Sequence, residues 1–387
     1  MNRILAVIVG LAFVALIAFG VVVFTSGGPP AQVVQPAALP QAEAAAEQNA
    51  QPVVAPQSPA AMEPQTPEAA ARFDAWAKPL REGGLTVTAG RVAVAGETVS
   101  VADLTIAGPA EFPGWRWSAE RASLYDRELF HLQAAGKTAF VFVEAEGKET
   151  VWSGTAEAIG VAITTDVRDK LGKTAVVRIN GLSLAREGDA APLTLADGQL
   201  RILLKGGTGI LPQGTDLTLR LTDMTLPQAA GAVVGSKLKS FTTEFAIDRS
   251  ITAYSLQQVA DFFRRGVTAN VELGAIALDW GALHVIGNGA FGFSPAGAAR
   301  GRLEVKVTEP VALLDAIAAA GGVASDALAD QVAALLLQMG EAPNETAVPM
   351  AIVITDGTVV LEGPGGESAL GTLPQLSGGA VPPAAVR

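Results

Sequence analysis

His131 and His284 are the only imidazoles in a chain of 387 residues that contains no cysteine. An imidazole can serve as a general base or bind zinc, but both tasks need partners: a hydroxyl and a carboxylate for a triad, or further His, Asp or Glu ligands for a metal. Both histidines sit in alternating strand-like sequence, and no spacing around them proposes such partners. Each reads as an isolated strand histidine. Without Cys there is no disulfide, thiolate metal site, cysteine nucleophile or cysteine-linked lipid. No G-x-S-x-G elbow occurs, and no S-x-x-K is followed by a matching partner motif. Glu144/Glu146 and Asp326/Asp330 have the same-face spacing that paired carboxylates use in acid-base work. In a chain with 38 acidic against 27 basic residues and a net charge of -11, solvated acidic surface is the plainer reading. The string Gly287-Asn-Gly289-Ala-Phe-Gly292 satisfies G-x-G-x-x-G. A dinucleotide site needs its last glycine to open a helix, however, and the chain continues as Phe293-Ser294-Pro295, so the string reads as a turn. No catalytic, cofactor-binding or metal-ligating residue is assigned, and no cofactor is expected.

Rings also pair at strand spacing: Trp115 with Trp117, Phe140 with Phe142, and Phe291 with Phe293. Same-face rings can line a groove for acyl chains or fill the core of a sheet, and the core is the plainer reading. The acidic balance argues against a nucleic-acid partner, which would require Lys and Arg concentrated on one face.

The elements that carry these residues fall into zones. Residues 1–3 form a short tail containing Arg3, and residues 4–24 contain no charged side chain. That run is long enough to cross a bilayer as a helix, and the charge asymmetry leaves the N-terminus in the cytoplasm, so a single-pass, uncleaved signal anchor is expected. Residues 25–67 are rich in Pro, Ala and Gln with few large apolar side chains, the composition of a disordered tether. A mainly β domain with some α (α+β) is expected over residues 68–363, with a possible subdivision near 250, and residues 364–387 read as a flexible tail. A short helix opens the domain with Phe73, Trp76 and Leu80 on one stripe.

The period then changes to two, as in Leu217, Leu219 and Leu221 or Leu303, Val305 and Val307, which predicts a large antiparallel twisted meander. Glycine-containing pairs such as Asp197-Gly198 are expected to punctuate it as turns. A recurring string, seen at Gly90 to Gly96, Gly281 to Gly287 and Gly357 to Gly363, fits a five-residue strand between two glycine turns. Capping and stop signals place further short helices over residues 255–266, 311–320 and 325–339, the last as a lid on the sheet. In all, two to four short helices are expected to pack on the strands.

The phrases Leu278-Asp-Trp-Gly-Ala-Leu283, Gly287-Asn-Gly289, Phe291-Gly-Phe293, Pro295-Ala-Gly297, Gly301-Arg-Leu303 and Val311-Ala-Leu-Leu314 are similar to a pattern of the alphaproteobacterial domain of unknown function 2125 family. Ile354-Thr-Asp-Gly357 and the N-terminal apolar run fit it too. The resemblance implies a membrane-anchored envelope protein with no assigned activity and no catalytic residues to carry over. The hairpin phrasing also resembles, in style, the AsmA-like envelope proteins, whose curved sheets are linked with lipid handling.

These readings together predict a non-enzymatic protein of the bacterial inner membrane, with its bulk in the periplasm. Its partners would be the membrane, through the N-terminal helix, and a lipid or other amphipath held on the concave face of the sheet. An envelope scaffold that binds another protein is the second expectation, and a hydrolase the least favoured.

Overall fold

The computed structural model describes residues 66–372, apart from the connecting stretches 83–84, 109–113, 126–129, 144–148, 166–172, 187–190, 206–213, 227–235, 248–268, 282, 294–298, 309–346, 357 and 364–365. The apolar run 4–24, the tether, the helices expected at 255–266, 311–320 and 325–339, and both acidic pairs lie outside the described residues. Among the described residues no helix is long and apolar enough to cross a membrane.

The domain opens with α1 (Pro67–Glu82). Thr66 caps it, its Oγ1 accepting a hydrogen bond from the Ala69 amide at 3.1 Å, and Pro67 occupies the first turn, where its missing N–H costs nothing. The expected stripe is present: Phe73 and Leu80 are buried with Ala69 and Ala77, and Trp76 packs half-buried beside them.

The strands described after it form one antiparallel sheet of 16 strands. The first half comprises β1 (Thr86–Thr88), β2 (Arg91–Ala95), β3 (Thr98–Ala107), β4 (Trp115–Tyr125), β5 (Phe130–Val143), β6 (Glu149–Thr165), β7 (Lys173–Arg186) and β8 (Leu193–Lys205). The second comprises β9 (Gly214–Thr225), β10 (Lys237–Ile247), β11 (Ala269–Trp280), β12 (Leu283–Phe293), β13 (Ala299–Thr308), β14 (Val348–Thr355), β15 (Thr358–Gly363) and β16 (Gly366–Thr372). From β3 onward each strand pairs with the next in sequence, as the period-two reading predicts. At the leading edge β1 and β2 share one side of β3, joined across their break by Gly90 N–H donating to Ala102 O at 2.9 Å.

The pairing register sorts side chains onto two faces, because residues opposite one another across a ladder point the same way. One row on the inner face runs Val99, Leu124, Leu132, Val161, Val177 and Leu200 from β3 to β8. It continues as Leu219, Thr243, Ile276, Gly287, Val305 and Met350 from β9 to β14. The parallel rows through Ile159, Ile179, Leu221, Phe241 and Leu278, and through Ile202, Leu217, Phe245 and Leu273, are apolar throughout. The outer face carries Arg178, Gln199, Arg220 and Lys306 in the row between.

A line of bulges crosses this pattern. Inward residues normally fall two apart, but they fall three apart at Val101/Leu104, Ile179/Leu182, Leu195/Gly198 and Leu221/Met224, all of which are buried. Three residues within these steps have positive φ: Asp103 (53°), Gly181 (57°) and Asp223 (50°). An extra residue at the same level of successive strands bends the sheet and restores the inward phase beyond it.

Several sequence expectations change accordingly. Asp197-Gly198 is not a turn: it lies inside β8 on this bulge line, where Gly198 is packed by Leu195, Leu221 and Ile179 side chains. The Gly90 to Gly96 string is a strand between glycines, β2, followed by a turn with Gly96 at φ 61°. The Gly281 to Gly287 copy fails that pattern, because β12 runs on through Gly287, Gly289 and Gly292 to Phe293. The G-x-G-x-x-G string is thus neither a nucleotide loop nor a turn. Its first two glycines face inward, and a Cβ on either would collide with the backbone carbonyls of Glu304 and Arg302 on β13. Nor does the domain end at 363, since β16 pairs with β15 across residues expected to be a loose tail. Of the expected helices, α1 alone falls among the described residues.

Replacing Gly289 with Ala is expected to destabilise the sheet by about 1–3 kcal/mol, as overpacking does. Gly160→Ala, where nothing lies within 4 Å of the new methyl group, stays within about 0.5 kcal/mol of wild type. Urea unfolding followed by tryptophan fluorescence compares the two; equal effects would contradict the close approach of β12 and β13.

Candidate functional site

The groups able to do chemistry lie on the outer face and are far apart. His131 stands opposite Tyr125 across β4 and β5, their rings 4.8 Å apart and inclined at 43°. Burial holds the His131 imidazole below its ordinary value of 6.5 and raises the Tyr125 phenol. His284 stands seven strands further along the sheet order, its Nδ1 3.0 Å from Asp279 Oδ1. Asp279 is shared, because Lys239 Nζ lies 2.9 Å from its other oxygen. Hydrogen bonding to Asp279, and then its charge, raise the Lys239 ammonium. The structure therefore gives each histidine a local partner and does not bring the two together. Other charged residues pair likewise on the exposed surface, as Arg300 does with Asp356 at 2.7 Å and Arg302 with Glu362 at 2.6 Å.

The aromatic pairs divide. Trp117 and Phe140 face each other across β4 and β5 with centroids 6.5 Å apart, 2% and 5% exposed, so they fill the core as expected. The Trp117 indole N–H donates to Thr138 Oγ1 at 2.9 Å, and that hydroxyl donates to Ser118 O at 2.9 Å, which leaves no polar atom stranded in the contact. Trp152 extends the row, with the Arg186 guanidinium 5.3 Å from its ring centre as a charged rim. Phe291, by contrast, is half-buried on the inner face of β12, and the Phe293 side chain lies outside the described residues.

What the geometry does build is a face. The inner side chains form two buried cores, a large one from α1 through Leu238 and a smaller one from Leu283 through Leu361. On β9, β10 and β11 the burial of inner apolar residues is mixed: Leu217, Leu219, Phe241, Phe245, Ile276 and Leu278 are half-buried, while Leu221, Met224, Leu238 and Leu273 are buried. Leu278 packs against both cores. Half-buried hydrocarbon side chains grouped on three adjacent strands have the chemistry to contact an acyl chain or other amphipath. Sequence periodicity placed these residues on one face but could not show where along the sheet their burial weakens.

The family model described as Uncharacterized protein conserved in bacteria (DUF2125) matches residues 66–371. No curated protein and no solved structure matches the chain.

Because burial lowers the folded-state pKa of His131, the unfolded chain binds more protons than the folded one just below pH 6.5, so stability falls as the pH drops through that window. Replacing His131 with Gln is expected to flatten the fall in unfolding midpoint between pH 7 and pH 5. An unchanged slope would show that His131 is not buried as described.

Proposed function

The chain belongs to the DUF2125 family, and on that premise we propose that it is a non-enzymatic protein, anchored in the bacterial inner membrane, that holds an acyl lipid or similar amphipath against the inner face of its periplasmic sheet. The observation that carries this reading is the group of half-buried apolar side chains on the inner face of β9 to β11, Leu217, Leu219, Phe241, Phe245, Ile276 and Leu278, interspersed with buried ones and backed by an outer face that carries charged and polar side chains. A ligand with hydrocarbon to shelter gains about 25 cal/mol for each Å² of apolar area removed from water, and this group offers that area without a charge to desolvate. The uncharged run 4–24 and the Pro- and Ala-rich stretch 25–67 support delivery of the domain to a membrane surface, on a tether with a span of roughly 35 Å.

A second reading, a scaffold that binds another envelope protein by strand addition, draws on β16, whose outer edge pairs with no other described strand.

Photolabelling tests the first reading. Full-length protein in inner-membrane vesicles, supplied with a diazirine fatty acid and irradiated, is expected to carry adducts on peptides spanning 214–225, 237–247 and 269–280, as well as on 4–24. Labelling confined to 4–24 would remove lipid binding by the sheet and leave the scaffold reading in place.

A further inference from the structure

One side chain interrupts the apolar central row of the inner face. Thr243 sits on β10 in the central inner row, with Leu219 of β9 and Ile276 of β11 directly opposite on either side. It is 2% exposed, and its Oγ1 has no hydrogen-bond partner. Its inner-face neighbours along the strand are Phe241 and Phe245, so none of the four described side chains around it can answer the hydroxyl. Thr138, on the same face beside Trp117, has both a donor and an acceptor. A buried hydroxyl left unpaired costs free energy, which a valine of nearly the same shape would avoid. A purely hydrocarbon occupant would leave that cost in place.

Resting on the binding-face reading above, we infer that Thr243 is the polar anchor of the site: its hydroxyl donates a hydrogen bond to the acyl carbonyl of a ligand whose chain lies along Leu219, Phe245 and Ile276. The carbonyl is the chemistry shared by a free fatty acid and an esterified lipid. Both carry a carbonyl oxygen acceptor on the carbon that ends the alkyl chain, which suits one donor among otherwise apolar neighbours. Thr243 then positions the chain along the sheet, while the surrounding apolar side chains supply the burial.

The test uses full-length protein in inner-membrane vesicles and three diazirine probes of equal chain length: a fatty acid, its methyl ester and the corresponding alkane. Adduct yield on residues 237–247 and 269–280 is normalised to the yield on residues 4–24, which corrects for probe concentration in the membrane. Wild type is expected to favour the acid, the ester or both over the alkane; preference for the acid points to a free fatty acid and preference for the ester to an esterified lipid. Thr243→Val should cut the preferred yield about three- to tenfold, the worth of one neutral hydrogen bond, without lowering the alkane yield. Thr243→Ser should restore it.

Equal labelling of wild type by all three probes overturns the inference while leaving a lipid-binding face, and so does a Thr243→Val protein that keeps the wild-type preference. Absence of sheet adducts with every probe overturns the binding-face reading, and this inference with it. The comparison within wild type needs no variant, so it stands even if Thr243→Val unfolds.

Discussion

The register of the sheet is the constraint on which the other features depend. Side chains alternate with a period of two, so a slip of one residue in any ladder would turn that strand's leucines and valines to solvent and bring its charges inward. Sixteen strands hold that phase. They do so even where extra residues intrude, because the intrusions are matched: Asp103, Gly181 and Asp223 absorb them with positive φ on β3, β7 and β9. On β11 the pairing shifts between Leu273 and Ile276, which are three residues apart yet both pair within inner rows. A bulge confined to one strand would break the apolar face; a line of bulges bends the sheet and preserves it.

Two faces of opposite character follow from this phase. On the outer face, charges find one another at the surface, as in Lys239 with Asp279 and His284, and such exposed pairs contribute little stability. On the inner face, burial of residues such as Leu132, Leu195 and Val307 supplies the driving force, at about 1.5–3 kcal/mol for each large side chain fully removed from water. That burial is uneven. It is nearly complete from β3 to β8, becomes mixed on β9 to β11, where half-buried Leu217, Leu219, Phe241, Phe245, Ile276 and Leu278 are interspersed with buried residues, and closes again around Leu283 and Val307. The mixed stretch coincides with the one stranded hydroxyl of the central row, at Thr243. In the proposed function, stability and binding then draw on the same surface, distinguished by how far it is covered.

Much of this was legible in the sequence, and the failures have physical causes. The alternation of Leu217, Leu219 and Leu221 and the cap and stripe of α1 were readable because period two and period 3.6 each leave a clear pattern. Asp197-Gly198 was misread because a bulge and a turn call for the same residues, and only tertiary pairing tells them apart. Gly287 and Gly289 carry the composition of a turn, although their role is to let two backbones approach. The strand Gly366–Thr372 was missed because Gly-Glu-Ser-Ala-Leu-Gly-Thr has no alternation strong enough to signal one. Thr243 left no signal at all, since threonine is ordinary in strands and its isolation is a property of neighbours on two other ladders.

The most direct measurement is a density map of the full-length protein purified from its membrane, at a resolution that shows bound hydrocarbon. The account predicts elongated density along β9 to β11, in contact with Leu219, Phe245 and Leu278 and ending in a polar group beside Thr243. A map in which that strip is sealed by the protein's own side chains, with no room for a chain, would contradict it.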